Sequence, residues 1–297
     1  MTHLAFCGPV SLKLLSSEVE DSNSLPVGYA CPLMSYLIRA LLIKKVKVTV
    51  VTSCVEVAQT REWNGERLTV VATPRRSRGR FYLDGYRHEV RTMSEVLKGS
   101  QADLVHAQWT YEFAESAIRS GLPYLVTAHD SPWTVACAMR QWHRFYRAIY
   151  SSAFVFPKIK HLTCVSPYLL QVCARHHRMP ADTRVIPNGV DPAQVVRDAR
   201  LRVSDPARPR FVAVSGTNRR KNIAPLLAAF SKVVERIPGA TLDVFGDGLG
   251  AEDCFPTRMV RRGFAQGVRF LGVVPHGDVL AHLESKADVF VNTSLEE

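Results

Sequence analysis

Short apolar runs, often β-branched, alternate along the chain with longer segments whose apolar residues recur at helical spacing. Residues 3–7, 47–52, 68–72, 103–107, 124–128, 161–165 and 184–186 read as strands. Helical patterns lie between them at 32–44, 86–97, 112–119, 133–150 and 167–176. Strands that alternate with helices predict a parallel, doubly wound sheet, because a parallel connection needs a crossover. A second series then begins, with strands at 211–214, 241–245, 268–271 and 289–292 and helices at 223–236, 255–263 and 278–286.

Ile186-Pro187-Asn188-Gly189-Val190-Asp191 closes the first series, and its Asn-Gly pair predicts a positive-φ turn. Residues 191–209, rich in Arg, Asp and Pro, read as a hinge between a first Rossmann-like domain at 1–190 and a second at 210–297. The fold class expected is therefore α/β, with two tandem Rossmann-like domains. Only four strands fall in the second series, where a doubly wound domain usually has five or six. The second domain is accordingly read as incomplete and the chain as truncated within it.

The stretch 211–230 carries the most pointed chemistry. A buried strand at 211–214 runs into the polar loop Ser215-Gly216-Thr217-Asn218-Arg219-Arg220-Lys221-Asn222, and a helix follows in which Pro225 fits only the first turn. Such a unit aims backbone N–H groups, a positive helix end and three cations at one point, as a diphosphate requires. An ordinary turn with solvated arginines explains the loop equally well by itself.

In open α/β sheets ligands lie beyond the carboxyl ends of the strands, so residues after each strand are the other candidates. Gly8 and Gly28 are glycines that would let backbone approach a ligand, or are plain turn residues. Gln108-Trp109-Thr110-Tyr111-Glu112-Phe113 follows one strand and His129-Asp130-Ser131-Pro132 the next. Asp130 or Ser131 would cap the following helix, leaving His129 at the strand tip to contact a sugar hydroxyl or an acceptor group. In the helical pattern 133–150, Arg140, Arg144 and Arg147 share one face, opposite Trp142, Phe145, Tyr146 and Ile149. That face suits anionic lipid or an acidic acceptor, though a sheet-packed helix with solvated arginines gives the same spacing. The basic loop 75–80 reads as solvated.

Composition narrows the choice. The formal charge of +11 sits mostly in residues 1–180, with 22 Lys/Arg against 13 Asp/Glu, and hardly in 181–297, with 16 against 14. A basic first half points to an anionic partner there. Seven scattered cysteines without Cys-x-x-Cys or zinc spacing predict buried, reduced thiols and a cytoplasmic protein. No signal peptide or membrane-spanning run is visible. Gly246-Asp247-Gly248-Leu249-Gly250 has the wrong spacing for a dinucleotide loop, and no Asp-x-Asp pair, P-loop or serine-nucleophile pattern occurs. Metal-bridged nucleotide chemistry and dinucleotide redox chemistry are thereby disfavoured.

Taken together, 27–42, His106-Ala107-Gln108-Trp109, Val126-Thr127-Ala128-His129-Asp130, Cys164-Val165-Ser166-Pro167, 186–191, 219–222, 244–248, 268–274 and 292–297 are similar, in order and spacing, to glycosyltransferases of family 4. These are retaining, metal-independent enzymes of GT-B fold, so the resemblance implies no cofactor and no metal. It implies a UDP- or GDP-sugar donor on the second domain and a hydroxyl acceptor on the first, with phosphorylated, lipid-linked and saccharide acceptors all open. Lys221 falls on the family's diphosphate lysine. The partnering arginine's place is taken by Gly216, with Arg219 and Arg220 as substitutes. His129 matches the histidine that contacts the transferred sugar, and Glu297 the first of two glutamates around it. Gly28, Trp109, His129, Asp130 and Asn188 are the acceptor-side candidates. Peripheral contact with the inner face of a membrane fits the basic first domain. The alternative is a truncated, inactive relative that binds a nucleotide or a partner weakly. Nucleic-acid binding rests on pI ≈ 9.5 alone and is not expected.

Overall fold

The computed structural model describes residues 2–77, 80–190 and 204–295. The chain divides into two compact units, Met1–Val190 and Asp191–Glu297. Most of the expected hinge, 191–203, lies outside the described residues.

The first unit is built on strands β1 (His3–Cys7), β2 (Lys47–Cys54), β3 (Arg61–Asn64), β4 (Leu68–Pro74), β5 (Leu104–Gln108), β6 (Tyr124–Ala128), β7 (Leu162–Cys164) and β8 (Arg184–Val185). They form one sheet in the order β3-β4-β2-β1-β5-β6-β7-β8, parallel except for β3. Helices α1 (Pro32–Ile43), α2 (Arg80–Leu83), α3 (Arg87–Gly99), α4 (Glu112–Ser120), α5 (Pro132–Met139), α6 (Trp142–Tyr150) and α7 (Pro167–Ala174) complete it. Side chains alternate across the sheet, so β1 sends Phe6 into one core with Val50, Val70, Met34 and Ile38. Ala5 and Cys7 go to the other face, with Val105, Val126 and Leu162. Burying a side chain such as Phe6 stabilises the fold by ~1.5–3 kcal/mol.

Three details differ from the sequence reading. Strand β3 was not expected, because only Trp63 among its residues is buried and the strand shows no alternation. The helix expected over 133–150 is two helices, broken where Arg140 turns left-handed at φ 52°. Gly189 is not among the positive-φ residues, so the Asn188-Gly189 pair does not use the turn expected of it.

The second unit holds β9 (Arg210–Val214), β10 (Thr241–Phe245), β11 (Val268–Gly272) and β12 (Val289–Phe290), all parallel, in the order β11-β10-β9-β12. Helices α8 (Ile223–Arg236), α9 (Cys254–Arg261) and α10 (His276–Lys286) accompany them. Helix α8 buries Leu226, Leu227, Phe230 and Val234 at helical spacing against Ala213, Leu242 and Val244, as its sequence predicts.

In each sheet the direction of winding reverses once, between β1 and β5 and between β9 and β12. In open α/β sheets ligands collect at such reversal points, beyond the carboxyl ends of the strands. Among the described residues no helix is long and apolar enough to cross a membrane. All seven cysteines are free, but Cys137 and Cys254 are exposed rather than buried.

Candidate functional site

In the first unit the reversal point is lined by the segments after β1 and β5. They touch closely: a Cβ on Gly8 would lie 2.8 Å from Gln108 Cβ, so glycine lets Gln108 sit against the end of β1. Gly28 acts differently. At φ +75° its missing side chain would run 2.5 Å from Val10 O, so the space is filled by the chain itself and not left for a ligand.

After β5, Trp109 adopts φ 65° while its N–H donates to Thr127 O at 2.9 Å. The turn lays the indole against the ring of His129, with centroids 4.2 Å apart and an interplanar angle of 29°. His129 Nε2 is 2.7 Å from Gln108 Oε1. An amide oxygen only accepts, so Nε2 donates and Nδ1 is left as an acceptor. Burial, with His106 adding to it, pushes the His129 pKa down to about 4, so the ring is neutral at pH 7. Gln108 Nε2 is buried with no hydrogen-bond partner among the described residues. A neutral imidazole acceptor is thus joined to an amide whose buried donor has no partner among the described residues, groups of the kind that can hold a sugar hydroxyl.

Asp130, one residue on, accepts from the Tyr111 hydroxyl at 3.0 Å. Ser131, not Asp130, is the N-cap residue of α5, with Pro132 in the first turn. Asn188 is exposed in an irregular segment and is not brought to this group by any described contact.

At this edge the 75–80 loop reads from the sequence as solvated and Arg147 as part of an outward cationic face, and the structure pairs Arg75, Arg76 and Arg147 with buried carboxylates. Arg76 is locked by Glu89 (Nη2–Oε2 2.6 Å) and Asp84 (Nη2–Oδ1 2.8 Å). Arg75 and Arg147 flank the buried carboxylate of Glu112, at 3.9 and 3.5 Å. Arg147 therefore faces inward, and the outward side of α6 carries Trp142 and Ile149, 68% and 57% exposed. A helical charge pattern gives the period of a face but not which neighbour it meets.

In the second unit the loop after β9 occupies the other reversal point. Asn218 caps a single 3-10 turn, Arg219–Lys221, its Oδ1 accepting from Lys221 N at 3.1 Å. Asn222 then turns left-handed at φ 54° and α8 begins. The segment after β12 is tied to the same loop: Asn222 Nδ2 donates to Thr293 O at 3.2 Å, and Leu295 N to Arg220 O at 2.8 Å. The loop after β10 also meets it, since a Cβ on Gly246 would fall 1.8 Å from Ser215 O. Gly216 stands beside these groups, its open side 3.9 Å from Asp247 O.

Successive residues of a 3-10 turn point about 120° apart, and here Arg219 is exposed while Arg220 and Lys221 are half-buried. Arg219 and Arg220 have no ion-pair partner among the described residues. The catalytic candidate Glu297 lies outside the described residues.

Comparison with known proteins bears on both units. A family model described as Glycosyltransferase Family 4 matches residues 33–194, and one described as Glycosyl transferases group 1 matches 208–297. No curated protein matches the sequence significantly. Among solved structures, a trehalose-6-phosphate structure from E. coli bound with UDP-2-fluoro glucose is 10% identical with a TM-score of 0.63, over 99% of this chain and 78% of that one. HepE from Anabaena, in complex with UDP and glucose, is 14% identical with a TM-score of 0.61, over 99% and 74%. WaaG, a glycosyltransferase involved in lipopolysaccharide biosynthesis, is 14% identical with a TM-score of 0.63, over 100% and 76%. At such identities the likeness is one of fold, and the fold is GT-B.

Proposed function

The chain belongs to glycosyltransferase family 4, whose model spans residues 33–194, and from that premise we propose that it moves a sugar from UDP- or GDP-sugar to a hydroxyl acceptor with retained anomeric configuration. The observation that carries this reading is the Ser215–Asn222 loop at the reversal point of the second sheet, tied to the segment after β12.

Sugar transfer is limited by departure of the nucleotide, because negative charge builds on the diphosphate as the glycosidic bond stretches. Lys221, one of the two arginines, the Gly216 backbone and the start of α8 would stabilise that charge without a metal ion. We assign the second cation to Arg220, which like Lys221 is half-buried, over the exposed Arg219. On the first unit, neutral His129 would accept from a sugar hydroxyl through Nδ1 while Gln108 donates to a neighbouring oxygen. We further propose that the enzyme works in the cytoplasm and touches a membrane surface through exposed Trp142 and Ile149.

The test is turnover of UDP- and GDP-sugars in EDTA, with the product anomer read by proton NMR. Retained configuration without added metal is expected. Lys221→Ala should slow turnover about 10²–10³-fold, the usual effect of removing one such donor. Inverted product, an absolute need for divalent metal, or undiminished Lys221→Ala turnover would contradict the proposal.

A further inference from the structure

We propose that the carboxyl edge of the first sheet holds an anion pocket built on Arg75, Arg147 and Glu112, and that it receives the phosphate monoester of a phosphorylated acceptor. That the bound phosphate belongs to an acceptor rests on the transferase reading; that the pocket binds phosphate does not.

The argument begins with two neighbours in sequence. Arg76 is a closed structural pair: one guanidinium meets two carboxylates, with Nε 2.9 Å from Glu89 Oε1 and Nη1 2.9 Å from Asp84 Oδ2. Arg75 has the opposite balance. It and Arg147 both lie against the Glu112 carboxylate, which is 3% exposed, and they are themselves only 20% and 22% exposed; Asp130 acts on Arg147 as well. Their separations from it, 3.9 and 3.5 Å, exceed the 2.7–2.9 Å or so of a charge-assisted hydrogen bond. Glu112 Oε2 accepts no hydrogen bond, and Arg147 Nε donates none, among the described residues. Arg144, on the same helix, also has a buried Nε without a partner.

Both guanidiniums lie against aromatic rings. Arg147 lies 3.9 Å over the Tyr111 ring and Arg75 5.4 Å over that of Tyr29, whose hydroxyl accepts from Arg75. Contact with aromatic rings restrains both side chains before a ligand arrives, so binding costs little side-chain entropy. Burial by itself would lower the Arg147 pKa, but Glu112 and the neighbouring polar groups hold it above its ordinary value. The pair therefore stays charged across the physiological range.

Three guanidiniums, those of Arg75, Arg144 and Arg147, gather around two carboxylates, Glu112 and Asp130, and a partly buried positive excess is costly unless an anion completes it. A carboxylate ligand would bring one charge and two oxygens. A phosphate monoester brings nearly two charges and three oxygens, matching paired guanidinium edges more fully. The elements place the pocket where ligands collect: Arg75 directly follows β4, Glu112 opens α4 after β5, and Arg147 comes from α6.

The experiment is calorimetric titration of the full chain with inorganic phosphate, glycerol 3-phosphate, and acetate at matched ionic strength. Both phosphates should bind, and acetate about tenfold more weakly or not at all. Glu112→Gln with Arg147→Gln removes one charge of each sign and leaves Arg75 as the remaining cation of the pair; with folding checked by circular dichroism, it should weaken phosphate binding about tenfold or more. Arg75→Gln, checked by circular dichroism, should do the same, and Lys221→Ala should leave phosphate binding in place. Acetate binding as well as phosphate, no phosphate binding by the wild type, or unchanged binding in folded variants would overturn the pocket. Loss of nucleotide binding with phosphate binding intact would instead count against the donor reading alone.

Discussion

Gly246→Ala tests whether the loop after β9 is fixed by the end of β10. Gly246 has φ +133°, a region where side chains are strained, and an added Cβ would lie 1.8 Å from Ser215 O and 2.9 Å from its carbonyl carbon. Relief requires movement of an ångström or more, since such contacts do not fall below 3.0 Å. The movement loads two backbone bonds, Ser215 N to Phe245 O at 2.9 Å and Gly246 N to Gly272 O at 2.7 Å. Backbone strain costs ~1–3 kcal/mol, and the overpacked contact ~1–3 kcal/mol. A loss of about 2–6 kcal/mol is a large part of ordinary domain stability. The assay exploits the four tryptophans, Trp63, Trp109, Trp133 and Trp142, all of which lie in the first unit. Urea unfolding followed by circular dichroism reads both units, whereas tryptophan fluorescence reads only the first. The variant should lower the circular-dichroism midpoint of the second unit, weaken UDP or GDP binding at least about tenfold, and barely move the fluorescence transition. An alanine variant with wild-type midpoint and nucleotide affinity would refute the reasoning.

Three further outcomes are expected. Burial pushes the pKa of His106, His129 and His177 down to about 4 from 6.5; the unfolded chain therefore takes up protons that the native protein refuses, and stability should fall as pH drops from about 6.5 towards 4. A urea midpoint constant between pH 7 and pH 5 would contradict this. Arg76→Gln strands the Glu89 carboxylate, which is 2% exposed, and should cost about 3–5 kcal/mol in urea unfolding, whereas a cost under about 1 kcal/mol would show the pair to be a surface one. Trp142→Ala with Ile149→Ser should reduce cosedimentation with vesicles containing phosphatidylglycerol while leaving turnover of a soluble acceptor unchanged; equal sedimentation would remove α6 from any membrane contact.

The repeating apolar runs made the fold legible because strands buried on both faces read as continuous apolar segments. Position on the sheet was also legible in part: Trp109, His129, Asp130 and the 215–222 loop do follow strands at carboxyl ends. Partnership was not. Nothing in the sequence distinguishes Arg75 from Arg76, yet one is saturated by two carboxylates and the other shares one. Arg147 reads in the sequence as part of an outward cationic face, for lipid, an acceptor or solvent, because helical period does not reveal that it meets Glu112. The break at Arg140 was hidden because no glycine or proline marks it, and β3 because only Trp63 of its four residues points inward. The differing exposure of Arg219, Arg220 and Lys221 was hidden because nothing in the sequence marks the 3-10 turn on which they sit.

The account depends most on the loop that follows β9. Calorimetric titration of UDP and GDP into the full chain, in EDTA, tests it directly. One of the two nucleotides should bind without metal, and Lys221→Ala and Arg220→Ala should each weaken it about tenfold or more, while the Glu112→Gln, Arg147→Gln double variant leaves it unchanged. Affinity unaltered by either loop substitution, or no binding of either nucleotide, would contradict the account.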